Sequence, residues 1–173
     1  MENNSPLAPA TLTATRSPPP AAAPPAASQT GLLTFLIGSE EFCLPVAQVR
    51  EIRIWSTPTP LPQTDPALLG VINLRGMVLP VIDPSVRIGL PDPGPRTRPV
   101  IIVIDAGGRQ AGVIADRVMD ILAVASDAIQ PPPAIATQFR VGSVAALVLD
   151  KGQLLRILDA SHLLAIRPES PAA

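Results

Sequence analysis

At 173 residues the chain has room for one domain or two small ones. Apolar residues make up 47% and aromatics only 2%, with no tyrosine, so a core has to be assembled from Val, Ile, Leu and Ala. Thirteen basic against fourteen acidic residues leave a net charge of −1, which argues against a nucleic-acid partner, because phosphates need clustered positive charge and unpaired bases need aromatic platforms.

Residues 1–30 are rich in Pro and Ala, with Pro18-Pro19-Pro20 and Pro24-Pro25 at the centre. Proline fixes φ and removes a backbone donor, so an extended, disordered tail is expected, whether bare, a tether or a Pro-rich ligand. The opening Met1-Glu2-Asn3-Asn4-Ser5-Pro6 lacks the basic start of a secretory signal. Within the uncharged stretch 17–39 only residues 32–37 are strongly apolar, far short of the ~20 that a spanning helix needs. Cys43 is the single cysteine, which fits a reducing compartment. A soluble, cytoplasmic protein is the expectation.

The ordered texture begins near Leu32. Residues 32–37 and 42–44 read as strands around a turn at 38–41, with Cys43 a small buried hydrophobe. Val46, Val49 and Ile52 recur every third position, as in a turn of helix, and an extended run at 50–55 ends in Trp55, either an interface anchor or a packing residue. Pro58, Pro60, Pro62 and Pro66 mark a loop. Two apolar strands follow, 68–74 and 77–82, and meet at Arg75-Gly76. Gly76 accepts the positive φ that so tight a reversal demands. The turn lifts Arg75 from the sheet, holding a permanently charged fork of donors on a rigid hairpin. Pro80 inside the second strand predicts an edge or a bulge. Residues 83–99, with Pro84, Pro91, Pro93, Pro95 and Pro99, read as a loop.

Strands at 100–105, 109–115 and 117–124 come next, the first two joined by Ala106-Gly107-Gly108. Beyond Pro131-Pro132-Pro133, strands at 144–149 and 154–158 flank a second hairpin turn, Asp150-Lys151-Gly152-Gln153. Asp159 or Ser161 caps a short helix through Leu164. About nine short strands separated by Pro/Gly turns predict an all-β fold, closed on itself because open apolar edges would aggregate.

Motifs for catalysis are scarce. Lys151, the only lysine, is not part of a phosphate-binding loop, and Gly142-Ser143 lacks the second glycine of a nucleophile elbow. His162 is the only histidine and falls in the short closing helix. One His and one Cys do not make a soft-metal site. Asp83, Asp105, Asp116 and Asp120 follow or interrupt strands, where carboxylates usually bind nearby backbone. No catalytic residue, metal or cofactor is expected.

Four stretches resemble the chemotaxis coupling protein family, CheW, in order across residues 32–165. They are Leu44-Pro45-Val46-Ala47-Gln48-Val49-Arg50-Glu51-Ile52; Gly70-Val71-Ile72-Asn73-Leu74-Arg75-Gly76 with Leu79-Pro80-Val81-Ile82-Asp83; Gly112-Val113-Ile114-Ala115-Asp116-Arg117-Val118; and residues 147–164. The resemblance implies two small SH3-like five-stranded β-barrels packed side by side, divided at roughly 90–99 and flanked by tails at 1–30 and 166–173. It also implies a non-enzymatic adaptor at membrane-associated arrays, joining the cytoplasmic tips of chemoreceptors to the regulatory domain of the histidine kinase CheA. Receptor contact is implied at Val49, Glu51, Ile52, Arg75 and Gly76, while kinase-facing residues stay unassigned. Pro84 departs from the family's usual leucine. A pilus-type or other non-flagellar pathway is the alternative, and a small β-barrel enzyme a more distant one.

Overall fold

The computed structural model describes residues 28–62, 65–133, 140 and 142–165. β1 (Gln29–Ile37) and β2 (Glu40–Pro45) form a hairpin, and a 3₁₀ turn at Val46–Gln48 leads into β3 (Val49–Ile54). β4 (Leu68–Leu74) and β5 (Met77–Ile82) form the hairpin around Arg75-Gly76, followed at once by α1 (Pro84–Ile88). Then come β6 (Val100–Ala106), β7 (Arg109–Ala115), β8 (Arg117–Ala125), a 3₁₀ turn at Ser126–Ala128 and the two-residue β9 (Ile129–Gln130). β10 (Val144–Asp150), β11 (Gln153–Leu158) and α2 (Ala160–Leu164) complete the described chain.

One sheet runs β8-β1-β2-β11-β10-β9 and the other β3-β6-β7-β5-β4. In the first, the outermost strands β8 and β9 are joined through one 3₁₀ turn, so the sheet has to roll until its edges approach. In the second, the outer strands β3 and β4 are consecutive, and their connector is tied back to β4 by paired Thr59–Val71 backbone bonds of 2.8 and 2.9 Å. These are two small β-barrels, and β9 is the extra strand beyond the expected five and five.

Residues 90–99 do not divide them. β6 and β7, which follow that segment, pair with β3 and β5, which precede it. β1 and β2 pair with β8 and β11 from the far end. Each barrel therefore takes one hairpin from the other half of the chain. The joins β2–β11 and β5–β7 are parallel, and parallel neighbours require a long crossover that no local turn signal records.

The exchanged hairpins lie between the barrels with both faces buried. Leu33, Phe35 and Ile37 of β1 meet Ile102 and Ile104 of β6 and Leu163 of α2 in one shared core. The alternate residues look inward: Leu32 into a cluster with Val148 and Leu155, Ile101 and Val103 into one with Leu74 and Leu79. This explains the unbroken run Val100-Ile101-Ile102-Val103-Ile104, since a strand covered on both sides has no polar face to display.

Local differences have local causes. Residues 83–99 are not all loop: Asp83 Oδ1 accepts from Ser85 N at 2.9 Å, Pro84 fills the first turn, and Gly89 at φ 80° ends α1. Cap, proline and glycine are the usual helix punctuation, but five residues are too few to show an apolar period. The spacing of Val46, Val49 and Ile52 yields only the 3₁₀ turn before β3 begins. β5 is an inner strand, yet its ladder to β7 spans only Val81 and Ile82, leaving Pro80 unpaired on that side. β1 starts at Gln29, inside the expected tail; residues 1–27 and 166–173 lie outside the described residues.

Arg96 fastens the corners. Its Nη1 and Nη2 donate to Asp83 at 2.8 and 2.9 Å, and its Nε forms an ion pair with Asp116 at 3.5 Å. Asp116 in turn accepts from Gly38 N in the β1–β2 turn at 2.7 Å. Burial opposes the charge on Arg96, but the hydrogen bond and charge of Asp83, then those of Asp116, outweigh it and hold the guanidinium pKa above its usual value.

Candidate functional site

The β4–β5 turn is left-handed at both central residues, Arg75 at φ 50° and Gly76 at φ 85°. That is the type I′ hairpin geometry, whose twist matches the flanking strands. Asn73 Oδ1 accepts from Gly76 N at 2.9 Å and locks it. The Lys151-Gly152 turn has the same form, at φ 47° and 83°, and the capping residues Asp83 and Asp159 stand equally far beyond their turns.

On this mount the Arg75 side chain is 77% exposed and still touches the body at one point, Nη2 to Glu51 Oε2 at 2.8 Å. The two overlook an open hollow of about 510 Å³. Its walls are Arg50 and Glu51 of β3, Leu74, Arg75 and Met77 of the β4–β5 hairpin, and Val103 and Gln110 of β6 and β7. A second ion pair, Arg50 Nη2 to Asp105 Oδ2 at 3.0 Å, stands beside the first. Hydrogen bonds from Gln110 and Arg50 hold the Asp105 carboxyl below the usual range, helped by Gly108 N.

The fold thus brings Glu51 and Arg75 together, with Gly76 in the supporting turn. Val49 is half-buried against the shared core, so it is a packing residue first. Ile52 is 46% exposed on β3 but does not wall the hollow. Trp55 packs at the edge of the Ile72 cluster and borders a different hollow with Leu69, Arg98 and Ile114. Arg50, Met77 and Gln110 are the additions that strand reading did not provide. Gln110 faces Asp105 across the β6–β7 ladder, a pairing that the Gly107-Gly108 turn does foreshadow.

The other polar candidates have structural partners. Asp83 caps α1, Asp116 holds the β1–β2 turn, and Asp120 Oδ1 accepts from Ile121 N at 2.7 Å. Asp159, not Ser161, caps α2, accepting from His162 N at 3.0 Å. Cys43 is buried, and burial followed by the charge of Glu41 pushes its thiol up to about 12. Among the described residues no group of three or more His, Cys, Asp or Glu is placed to hold a metal ion, and no helix is long and apolar enough to cross a membrane.

Residues 31–167 match the family described as CheW-like domain. The chain belongs to the CheW-like family. It is similar to the chemotaxis protein CheW of Rhizobium meliloti (strain 1021), with 41% identity over 128 residues, 74% of this chain and 83% of the relative. The chemotaxis protein CheW of Bacillus subtilis (strain 168) is 33% identical, covering 77% and 85%. Protein FrzA of Myxococcus xanthus is 37% identical over 101 residues, covering 57% and 62%. Among solved structures, the scaffolding protein TtCheW from Thermoanaerobacter tengcongensis superposes with a TM-score of 0.72 at 26% identity, covering 76% of this chain and 90% of that one. As a CheW-like protein, the chain is a chemotaxis adaptor.

Proposed function

We propose that this adaptor joins chemoreceptors to a CheA-type histidine kinase in the cytoplasm, and that it takes the receptor at the hollow below Arg75. The observation that carries the site is the mounting of Arg75, a charged fork that is mostly in solvent while its backbone and one nitrogen are fixed. Such a group costs little entropy to dock. A central arginine that loses its water on binding can contribute ~2 kcal/mol or more, whereas a rim charge contributes under about 1 kcal/mol. The core shared by both barrels makes them one stiff body, so a shift at the receptor side is passed on instead of being absorbed. The reaction chemistry belongs to the kinase; this chain supplies two surfaces in fixed relation.

Reconstitution tests the reading. Receptor cytoplasmic fragments, the kinase and this chain should sediment together, with kinase activation dependent on the chain. Activation of equal size without the chain overturns it. A non-flagellar array would use the same chain, and a deletion strain scored for swimming and for surface motility separates the two pathways.

A further inference from the structure

The hollow contains a second exposed cation, and the backbone is distorted to put it there. Along the β3–β6 ladder Val49 faces Ile104 and Glu51 faces Val103, two steps on β3 against one on β6. Arg50 is therefore the extra residue of a β-bulge. In a regular strand, successive side chains point to opposite faces, so Arg50 and Glu51 would be separated by the sheet. A bulge interrupts that alternation and re-aims a side chain, and here both residues wall the same hollow.

Arg50 and Arg75 are mounted alike. Each uses one nitrogen on a carboxylate of the body, Asp105 at 3.0 Å and Glu51 at 2.8 Å, leaving its remaining donors available. Asp105 is steadied by Gln110 Nε2 and Gly108 N, both at 3.2 Å. The two pairs balance and Arg53 adds a longer contact to Glu51 at 3.9 Å, but the charges are not equally presented. The arginine side chains are 58% and 77% exposed, against 13% for Asp105 and 24% for Glu51. An approaching surface meets two guanidinium groups, with the recessed carboxylates behind them and Met77, 56% exposed, alongside.

We propose that Arg50 is a second docking cation of this hollow, and that the receptor segment it takes is acidic, offering carboxylates to Arg50 and Arg75 and an apolar side chain to Met77. This rests on the receptor reading above and extends it to a residue and a ligand chemistry. The pair of forks selects for carboxylates because planar, two-point acceptance suits a guanidinium better than a single carbonyl does.

The test uses the full-length chain and a purified cytoplasmic-tip fragment of a chemoreceptor, with affinity measured across a salt series. Arg50→Gln should weaken binding about threefold or more and make the salt dependence shallower, since one attracted charge is gone. Its thermal midpoint should stay within about 3 °C of the parent, as expected for an exposed residue. Arg75→Ala is run beside it. If Arg50→Gln binds like the parent while Arg75→Ala loses affinity, the second cation is refuted and the receptor site stands. A lower affinity with unaltered salt dependence also refutes it, because the loss then comes through the fold and not the charge. If neither variant changes binding, or the parent does not bind the fragment, the receptor site falls and this inference with it.

Discussion

The Arg75 guanidinium lies 2.8 Å from the Glu51 carboxylate, across a separation of 24 positions and between two different strand pairs. The contact joins the left-handed turn to β3 and aims the arginine without hiding it. Arg75→Ala should therefore weaken receptor-fragment binding about tenfold or more. Thermal unfolding should barely move, since an exposed pair contributes under about 1 kcal/mol. Glu51→Gln releases the arginine without removing it, so its loss should be smaller, and the double variant should bind no worse than Arg75→Ala alone. Calorimetric titration of the three variants checks this, and a fully additive double variant would mean the two residues act separately.

Two glycines of the β4–β5 hairpin should respond very differently to one added methyl. Gly70, at φ 141°, is crossed by the Thr59–Pro60 connector so closely that a Cβ would collide with the Thr59 carbonyl. Gly70→Ala should cost about 3 kcal/mol or more, from backbone strain and overpacking together. Gly76, at φ 85°, has nothing within 4 Å of the same position, so Gly76→Ala should cost only the left-handed penalty of about 1–2 kcal/mol. Urea unfolding of both variants measures the gap, and equal losses would contradict it.

Arg96 is the nearly buried partner of two carboxylates, and removing it strands both. Arg96→Ala should lower stability by about 3 kcal/mol, as for breaking a buried pair from one side. Arg96→Lys keeps the charge but cannot make the fork to Asp83, so it should fall between. A loss below about 1 kcal/mol in chemical denaturation would show that the corners hold without the clasp.

Asp105 sets an acid dependence. Its folded carboxyl titrates below the usual value, so the ionised form favours the folded state. That contribution is present at neutral pH and is lost as pH falls from about 3.9 through the folded value. The stability difference between the parent and Asp105→Asn should be largest at pH 7 and should close below about pH 4. Unfolding curves collected from pH 7 to pH 3 test it, and a constant difference would place the effect elsewhere.

Turn chemistry made much of the fold legible. Arg75-Gly76, Gly107-Gly108 and Lys151-Gly152 each announce a hairpin within a few residues, because positive φ has few tenants. Asp159 announces α2 in the same way. Residue chemistry also singles out Arg75 as an exposed charge on a rigid turn, while its contact with Glu51 emerges only in the fold. What stays hidden is non-local. The bulge at Arg50 is a slip between β3 and β6 and leaves no mark in β3 itself. The resemblance implied receptor contact at Val49, yet its neighbours across the core turn it inward. The hairpin exchange is invisible for the same reason: no turn residue says which strand will arrive on the far side.

That exchange governs how the chain can be made. Gln29–Pro45 leaves the ribosome long before Gln153–Leu158, the segment that completes its barrel, so the nascent hairpin has to wait with its apolar residues bare. Cut at 90–99 and separated in denaturant, the two pieces could not close a barrel alone, and mixing them should restore both by complementation.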